Sequence, residues 1–416
     1  MDAGVNEWGS DGRGSPSGNI RRALSDVGPG HGVAALSMVD ERPGLAAVLG
    51  EAERALAALD AIALVVPPLA SSPGLLSEFC VRREAVSSAR LAGGRAGLLD
   101  LLSWEADDET AAPDLAVEIA SIARMITGQA SARDEMALAF GELPTISLLD
   151  GLFRAIGGPG ARRRALPSAL LASFERELRG ASPDDPPLLR IARAHARLEL
   201  LDPYPGHTDR IARMMVTLLL EQNGLLFSPI LPLSEYFLRH RDEYARRLHA
   251  LRIVDGRNDL RELNHHLTTS YGSGCPAERM WQEWFAFYLV AIAQVARGTA
   301  GFAAGLLRLV AIDRSRLLRE AITSATALRL FEGLPQHPIV TVSGVCHNLS
   351  VSKPTATRAI DVLAALDILR ERTGRTRDRS WIYDRLVRFL LLRGSALGED
   401  DDEVIGPRSI QLRRAA

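Results

Sequence analysis

Residues 191–213 read IARAHARLELLDPYPGHTDRIAR, and this stretch combines two helical patterns with a short break between them. Apolar residues recur at helical spacing on both sides, whereas Pro203, Pro205 and Gly206 interrupt the pattern in the middle. The spacing predicts a helix over 187–201, a loop, and a second helix over 209–222.

The composition of the 416-residue chain indicates a mostly α, soluble globular protein. Apolar residues make up 47% and charged residues 24%, with 35 Gly and 22 Pro, which excludes a collagen, a disulfide scaffold and a wholly disordered chain. Aromatic residues are only 5%, while Ala and Leu are abundant, so helices are favoured over strands. The three cysteines are far apart and form no CxxC motif. We therefore expect no zinc site, no disulfide framework and a cytoplasmic location.

Changes in sequence texture divide the chain into five segments. We expect a disordered leader over 1–44, an N-terminal helical domain over 45–135, a helical core over 136–312, a distinct domain over 313–395 and a flexible tail over 396–416. Further helices are predicted over 146–156, 233–251, 278–296 and 315–331. The most apolar long stretch, 287–312, is interrupted by Gln294, Arg297 and several glycines, so neither a membrane span nor secretion is predicted.

The segment 313–395 has the layout of a winged helix-turn-helix. A short helix over 342–348, a tight turn at 351–354 and a second helix to residue 366 precede two short strands over 368–372 and 380–383. In such domains the second helix enters the major groove of DNA, and the hairpin lies along the backbone. Ser352 can cap the second helix, and Pro354 is tolerated in its first turn. The layout predicts a domain that binds double-stranded DNA.

Basic side chains occupy the positions that such a domain turns towards DNA. Residues 326–395 contain 11 Lys or Arg against 6 Asp or Glu, although the whole chain has a net charge of −2. Ala356, Ile360 and Leu363 form the inward face of the second helix. The residues left to read base edges are Lys353, Thr355, Thr357 and Arg358, and those left to contact phosphates are Arg370, Arg372, Arg375, Arg377 and Arg379. A solvated face for protein contacts is the alternative use of these residues.

The central stretch resembles the Fic family, whose nucleotide transferases carry HPFxDGNGRxxR between two core helices. The stretches LLLEQNGLLFSP (218–229) and LSEYFLRHRDEY (233–244) are also similar to the family. RREAVSSARLAG (82–93) resembles the N-terminal segment that supplies the inhibitory (S/T)xxxE(G/N) helix in many members. The resemblance covers about 46–300 and implies a Fic-like helical core behind an N-terminal helical segment. An attached winged domain is a common arrangement in the family.

The motif departs from the family pattern where catalysis needs it. In the family the His is the general base, the acidic residue holds a metal on the nucleotide phosphates, Gly-Asn-Gly forms an anion nest, and two Arg bind phosphate and orient the loop. The matching positions here are Asp202, Gly206, His207-Thr208-Asp209, Arg210 and Arg213. An ionised Asp is a weak base near pH 7, and Gly206 offers no metal ligand. The resemblance therefore implies a pseudoenzyme with no catalytic residue, no cofactor and no metal.

Two further family features are missing. The position of the inhibitory Glu is Ala92, and the hairpin that positions targets is replaced by Gly157–Gly160 leading into Arg162–Arg164. Our first hypothesis is a bacterial-type DNA-binding, transcriptional regulator built on a degenerate Fic-like domain, with double-stranded DNA as its partner. The alternative is a divergent nucleotidyl or phosphoryl transferase that lacks the inhibitory Glu and uses His207 as its base. Homodimerisation and an unidentified effector or protein partner stay open.

Overall fold

The structure, a computed structural model, describes residues 42–65, 74–106, 113–138, 145–158, 160–178, 186–255, 276–319, 324–375 and 377–393. It is mostly α, which confirms the fold class expected from composition. Of the leader predicted to be disordered over 1–44, only the last three residues lie within the described part. The tail predicted over 396–416 lies entirely outside it.

Four helices form the N-terminal part: α1 (Arg42–Val65), α2 (Leu75–Leu91), α3 (Leu98–Glu105) and α4 (Ala116–Leu138). Leu56, Leu59 and Phe79 on α1 and α2 are fully buried. The helix α2 ends where Gly93 takes a φ of +99°, a conformation that glycine adopts without steric cost. The Asp100 carboxylate accepts the Gly97 N–H at 2.8 Å and thereby satisfies one of the free amides that begin α3.

Six helices form the central part: α5 (Ile146–Gly157), α6 (Ser168–Leu178), α7 (Pro187–Leu201), α8 (Thr208–Gln222), α9 (Ser234–Arg239) and α10 (Arg241–Asp255). The helix predicted over 187–201 is confirmed, and α8 begins one residue earlier than predicted. The single helix predicted over 233–251 is wrong, because the chain bends at His240 between α9 and α10. The bend allows the Tyr244 ring to stack on Phe237 at 4.5 Å, and that tertiary contact outweighs the continuous local periodicity.

One long helix, α11 (Pro276–Arg319), runs for 44 residues, or about 66 Å, and packs along α1. It extends the helix predicted over 278–296 and crosses the domain boundary expected between residues 312 and 313. Within the described residues it is also the one helix long and apolar enough to cross a membrane by length and composition. Its Trp284, Tyr288 and Ile292 are nevertheless fully buried among protein side chains, as in the core helix of a soluble protein.

We call residues 324–393 the C-terminal unit. Its elements are α12 (Ala325–Gly333), β1 (Ile339–Thr341), α13 (Val342–Leu349), α14 (Lys353–Ala365), β2 (Arg370–Glu371), β3 (Ser380–Ile382) and α15 (Asp384–Arg393). The strands form an antiparallel sheet in the order β1-β3-β2, in which Val340 and Glu371 both pair with Trp381. The strand β1 was not predicted, since three residues are too few to reveal an alternating pattern.

Two sequence expectations for the C-terminal unit need correction. The helix predicted over 315–331 is divided between the end of α11 and α12, and residues 320–323 lie outside the described part. Ser352 stands at the N-cap position of α14, but its side chain does not cap a backbone amide. Its hydroxyl lies 2.9 Å from that of Thr355, and this contact between side chains takes the place of the expected cap.

Asp313 joins the long helix to the C-terminal unit. Its side chain is fully buried, and it accepts hydrogen bonds from the Tyr383 hydroxyl at 2.8 Å and from Arg316 at 3.2 Å, as well as from Arg385. Gly305 lies one helical stretch earlier, where a Cβ would stand 2.8 Å from the Phe389 ring. A glycine at this position therefore lets α15 approach α11 closely.

We expect Asp313→Ala to lower the free energy of unfolding by about 2–3 kcal/mol, because the buried Tyr383 hydroxyl is left without an acceptor. Tyr383→Phe removes only that donor and is expected to cost about 1 kcal/mol. Urea denaturation measures both variants, with the exposed Asp114→Ala as the control. Equal stability of Asp313→Ala and the control would show that the junction does not depend on this carboxylate.

Candidate functional site

The loop between α7 and α8 is held by Asp202, the residue at the position of the family's base. Asp202 ends α7 in the left-handed conformation, with φ 44° and ψ 56°. One carboxylate oxygen lies 2.8 Å from the Thr208 hydroxyl, and the other pairs with Arg164 at 2.9 Å. The Thr208 hydroxyl also accepts the Tyr204 N–H at 2.9 Å. Asp202 therefore closes the loop through its own chain.

The aromatic residue of the motif anchors the loop to α5. The Tyr204 ring is fully buried against Phe153, with ring centroids 5.1 Å apart, and its hydroxyl donates to Asp150 at 3.1 Å. Burial, followed by the neighbouring charge of Asp150, raises the pKa of Tyr204 well above its usual range, so the phenol stays protonated. Gly206, at the metal position, is exposed and has a φ of +72°. It shapes the turn and offers no side-chain ligand.

Arg213 is the most enclosed charge of the motif. Its side chain is 2% exposed and pairs with Asp209 at 2.8 Å. Its Nε donates to the Ser88 hydroxyl at 2.8 Å, and Nη2 donates to the Ser88 carbonyl at 3.2 Å. Burial alone would raise the pKa of Asp209, but the charge and hydrogen bond of Arg213 outweigh it and the pKa is lowered. An ionised carboxylate of the protein thus stands in the first turn of α8.

His207 and Arg210 are half-buried beside this pair. The His207 ring packs against Phe153 with centroids 5.8 Å apart. Burial, followed by the charge of Arg210, lowers the pKa of His207, so the imidazole is neutral near pH 7. Within the described residues, neither His207 Nδ1 nor Arg210 Nε has a hydrogen-bond partner. No group of the described chain therefore orients the imidazole through Nδ1 as a base.

The stretch 160–167 lies where the family's hairpin is expected, and it contains no strand. Instead the Arg164 N–H donates to the Pro203 carbonyl at 2.8 Å, and Arg163 pairs with Asp150 at 3.1 Å. The arginines expected to be solvated are thus bound to carboxylates of this chain. Within the described residues, no three His, Cys, Asp or Glu side chains form a group that could hold a metal ion.

A buried polar cluster below the loop was not foreseen from the sequence. Arg83 on α2 makes a bidentate pair with Glu235 at 2.6 and 2.7 Å. Its neighbour Glu84 accepts the Ser234 N–H at 2.8 Å and also bonds the Ser234 hydroxyl. The two pairs fasten α2 to the beginning of α9. No local pattern announces them, because the partners lie about 150 residues apart in the chain.

The pKa values of this cluster differ strongly from their ordinary values. Burial raises the pKa of Glu84 from 4.5 to about 7, although the hydrogen bonds from Ser234 lower it in part. Burial lowers the pKa of His195 from 6.5 to about 3. The His195 ring nitrogens lie 2.9 and 3.2 Å from the hydroxyls of Tyr244 and Tyr288, which makes it a neutral core residue.

The C-terminal unit carries a cleft of about 1450 Å³. Of the residues predicted to contact DNA, those that line it are Lys353 and Thr357 on α14 and Arg377 and Arg379 before β3. Asp361, which the sequence analysis did not select, lines the same cleft, one turn beyond Thr357. The Arg379 guanidinium lies over the Trp381 ring at 4.9 Å, and this contact fixes its direction.

The other predicted contacts lie elsewhere in the unit. Thr355 is half-buried beside Ser352, Arg358 is exposed on α14, and Arg375 is exposed in the hairpin turn after Gly374. Arg370 pairs with Asp384 on α15. Arg372 donates to the Ser103 hydroxyl of α3 at 3.2 Å. Two of the five hairpin arginines are therefore bound to other parts of the same chain.

We expect Glu84→Gln to change how stability depends on pH. The folded-state pKa of Glu84 lies above the unfolded value of 4.5, so the group stabilises the fold at low pH, and this contribution is lost as the pH rises through about 7. Between pH 5 and pH 8 the loss is on the order of 3 kcal/mol. Denaturation at both pH values should show the variant gaining that amount relative to the wild type, while the exposed Glu53→Gln gains nothing. A gain no larger than that of the control would contradict the assignment.

Residues 46–126 match the family model described as Fic/DOC family N-terminal. Among solved structures, a Fic family protein from Desulfovibrio desulfuricans G20 is similar at 15% sequence identity with a TM-score of 0.43, and the match covers 80% of this chain and 95% of that one. The residues matched by the family model include all of α2, with the Ser88 that binds Arg213. Over residues 46–126, therefore, the chain is similar to the N-terminal segment of the Fic/DOC family.

Proposed function

We propose that this chain is a DNA-binding, transcriptional regulator whose C-terminal unit is a winged helix-turn-helix attached to a Fic-related pseudoenzyme domain. The observation that carries the proposal is the cleft that brings Lys353 and Thr357 of α14 together with Arg377 and Arg379 of the hairpin. The order of elements from α12 to β3 supports it, since helix, strand, two helices and a hairpin is the layout of winged DNA-binding domains.

The chemistry of the cleft suits duplex DNA. Arg377 and Arg379 are exposed on the hairpin and supply charges for phosphates. Lys353 stands in the first turn of α14, the end of the helix from which side chains reach base edges. Lys pairs best with the O6 and N7 acceptors of guanine, and Asp accepts from the N4 amino group of cytosine. Lys353 with Asp361 therefore favours a site rich in G·C pairs.

The bonds of the motif loop support the pseudoenzyme part of the proposal. Asp202 is bound by Arg164 and Thr208, and Asp209 occupies the first turn of α8 in place of a ligand phosphate. A metal-bound nucleotide needs a carboxylate at the position of Gly206. His207 is the base of the rival transferase hypothesis, and nucleotide binding distinguishes the two functions.

We expect no appreciable binding of ATP with Mg²⁺ or Mn²⁺, because Asp202 and Asp209 add negative charge where the phosphates would lie. Isothermal calorimetry on the full chain measures this. Asp202→His should restore neither binding nor transfer, since Gly206 still provides no metal ligand. Micromolar ATP binding by the wild type, or nucleotide transfer found by mass spectrometry after incubation with lysate, would favour the transferase instead.

We expect the full chain to bind duplex DNA with an affinity that falls steeply with salt. The double variant Arg377→Ala/Arg379→Ala should weaken binding to every sequence and flatten the salt slope by up to about 1 unit for each phosphate that the variant no longer binds. Arg279→Ala/Arg308→Ala removes two exposed arginines of α11 and is the control with the same charge change. Fluorescence anisotropy on a random duplex at several salt concentrations measures all three proteins.

Lys353→Ala should behave differently from the hairpin variant. A base contact is worth about 1–3 kcal/mol of discrimination, so the variant should lose preference for a duplex selected from a random library more than it loses general affinity. If the full chain binds neither the selected nor the random duplex in a salt-dependent way, the C-terminal unit is a protein-contact module and the proposed function is wrong.

A further inference from the structure

The cleft of the C-terminal unit has a wall from the N-terminal part of the chain. Leu102, Glu105 and Ala106, at the end of α3, line it together with the residues of α13, α14 and the hairpin. Two polar contacts hold this wall in place. Arg372 donates to Ser103 on α3 at 3.2 Å, and Gln336 donates to Glu78 on α2 at 2.9 Å.

The charges that line the cleft are balanced. The cations are Arg329, Lys353, Arg377 and Arg379. The carboxylates are Glu105, Glu332, Asp361 and Asp378. Of these carboxylates, Glu105 is the one that does not belong to the C-terminal unit. Duplex DNA carries one negative charge per about 1.7 Å of its axis, so a cleft without net positive charge attracts it weakly. Withdrawal of α3 would leave the C-terminal side of the cleft positive.

The position of Glu105 is fixed by α2. Arg82 Nε bonds the two carboxylate oxygens at 3.1 and 3.0 Å, and the Glu105 side chain is 24% exposed. The same wall engages Arg372, one of the proposed phosphate contacts, through Ser103. In this arrangement α3 both neutralises the cleft and binds a side chain that DNA would use.

We propose that α3 is an inhibitory wall of the DNA cleft: Glu105 and Ser103 hold the C-terminal unit in a form with low affinity for DNA, and separation of α3 from the hairpin converts it to a form with high affinity. The inference rests on the proposed function, because it concerns regulation of the same cleft. Its ligand is duplex DNA, which competes with α3 for the arginines of the hairpin.

The test compares Glu105→Gln with Asp114→Asn in the full chain. Each variant removes one carboxylate from the N-terminal part, and each leaves one arginine without its partner, since Asp114 pairs with Arg95 at 3.6 Å. Anisotropy titration with a random duplex should give about threefold or more tighter binding for Glu105→Gln, with a steeper salt dependence, and no change for Asp114→Asn. Ser103→Ala, which keeps every charge, should also tighten binding by releasing Arg372. Thermal unfolding confirms that each variant is folded.

The outcomes separate this inference from the function on which it rests. If the wild type binds DNA and both Glu105→Gln and Ser103→Ala bind equally tightly, α3 does not inhibit and the inference is wrong, while the proposed function stands. If DNA binds only to the variants, both are supported. If neither the wild type nor any variant binds, the proposed function fails and the inference fails with it.

Discussion

The buried guanidinium of Arg213 is the charge around which the central part of the protein is arranged. Its side chain is 2% exposed, and an uncompensated charge at that depth costs about 3–5 kcal/mol. Compensation comes from Asp209 on its own helix, from Ser88 on α2, and from Glu199 on α7 at 4.0 Å. Three helices are therefore held to one group, and together they determine the position of the motif loop.

The same constraint accounts for the side chains that replace the family's motif. A phosphate site keeps the amides of a helix N-terminus and a nearby arginine free for an anion. Here Asp209 occupies the first turn of α8 and neutralises Arg213. At the other end of the loop, Asp202 adopts the left-handed conformation, uncommon for a residue other than glycine, and is held there by Thr208 and Arg164. The loop's own bonds thus stabilise the fold with the groups that an active enzyme leaves open for its ligand.

Sequence reasoning succeeded where a short-range pattern determines the structure. The helix at 187–201 follows from apolar spacing and its flanking prolines, and the match over residues 46–126 confirms the resemblance drawn from 82–93. It failed where distant contacts decide, as at His240, where aromatic packing bends the chain. Arg372 and its partner Ser103 show the same limit. Each looks like an ordinary surface residue in its own segment, and only the tertiary fold brings them together.

The helix α2 contacts both candidate sites, and this position gives the inhibitory wall a physical connection to the motif. Ser88 binds Arg213 near one end of the helix, whereas Arg82 and Glu78, further towards its beginning, hold Glu105 and Gln336. A helix moves as a rigid element, so a displacement that breaks the bond to Arg213 also shifts the residues that position α3. Coupling between sites is typically 1–3 kcal/mol, about 5- to 150-fold in affinity, and a few charge-assisted hydrogen bonds are sufficient to carry it. A ligand that binds near Arg213 in only one of the two positions of α2 would therefore change the affinity for DNA, and by reciprocity DNA would change the affinity for that ligand.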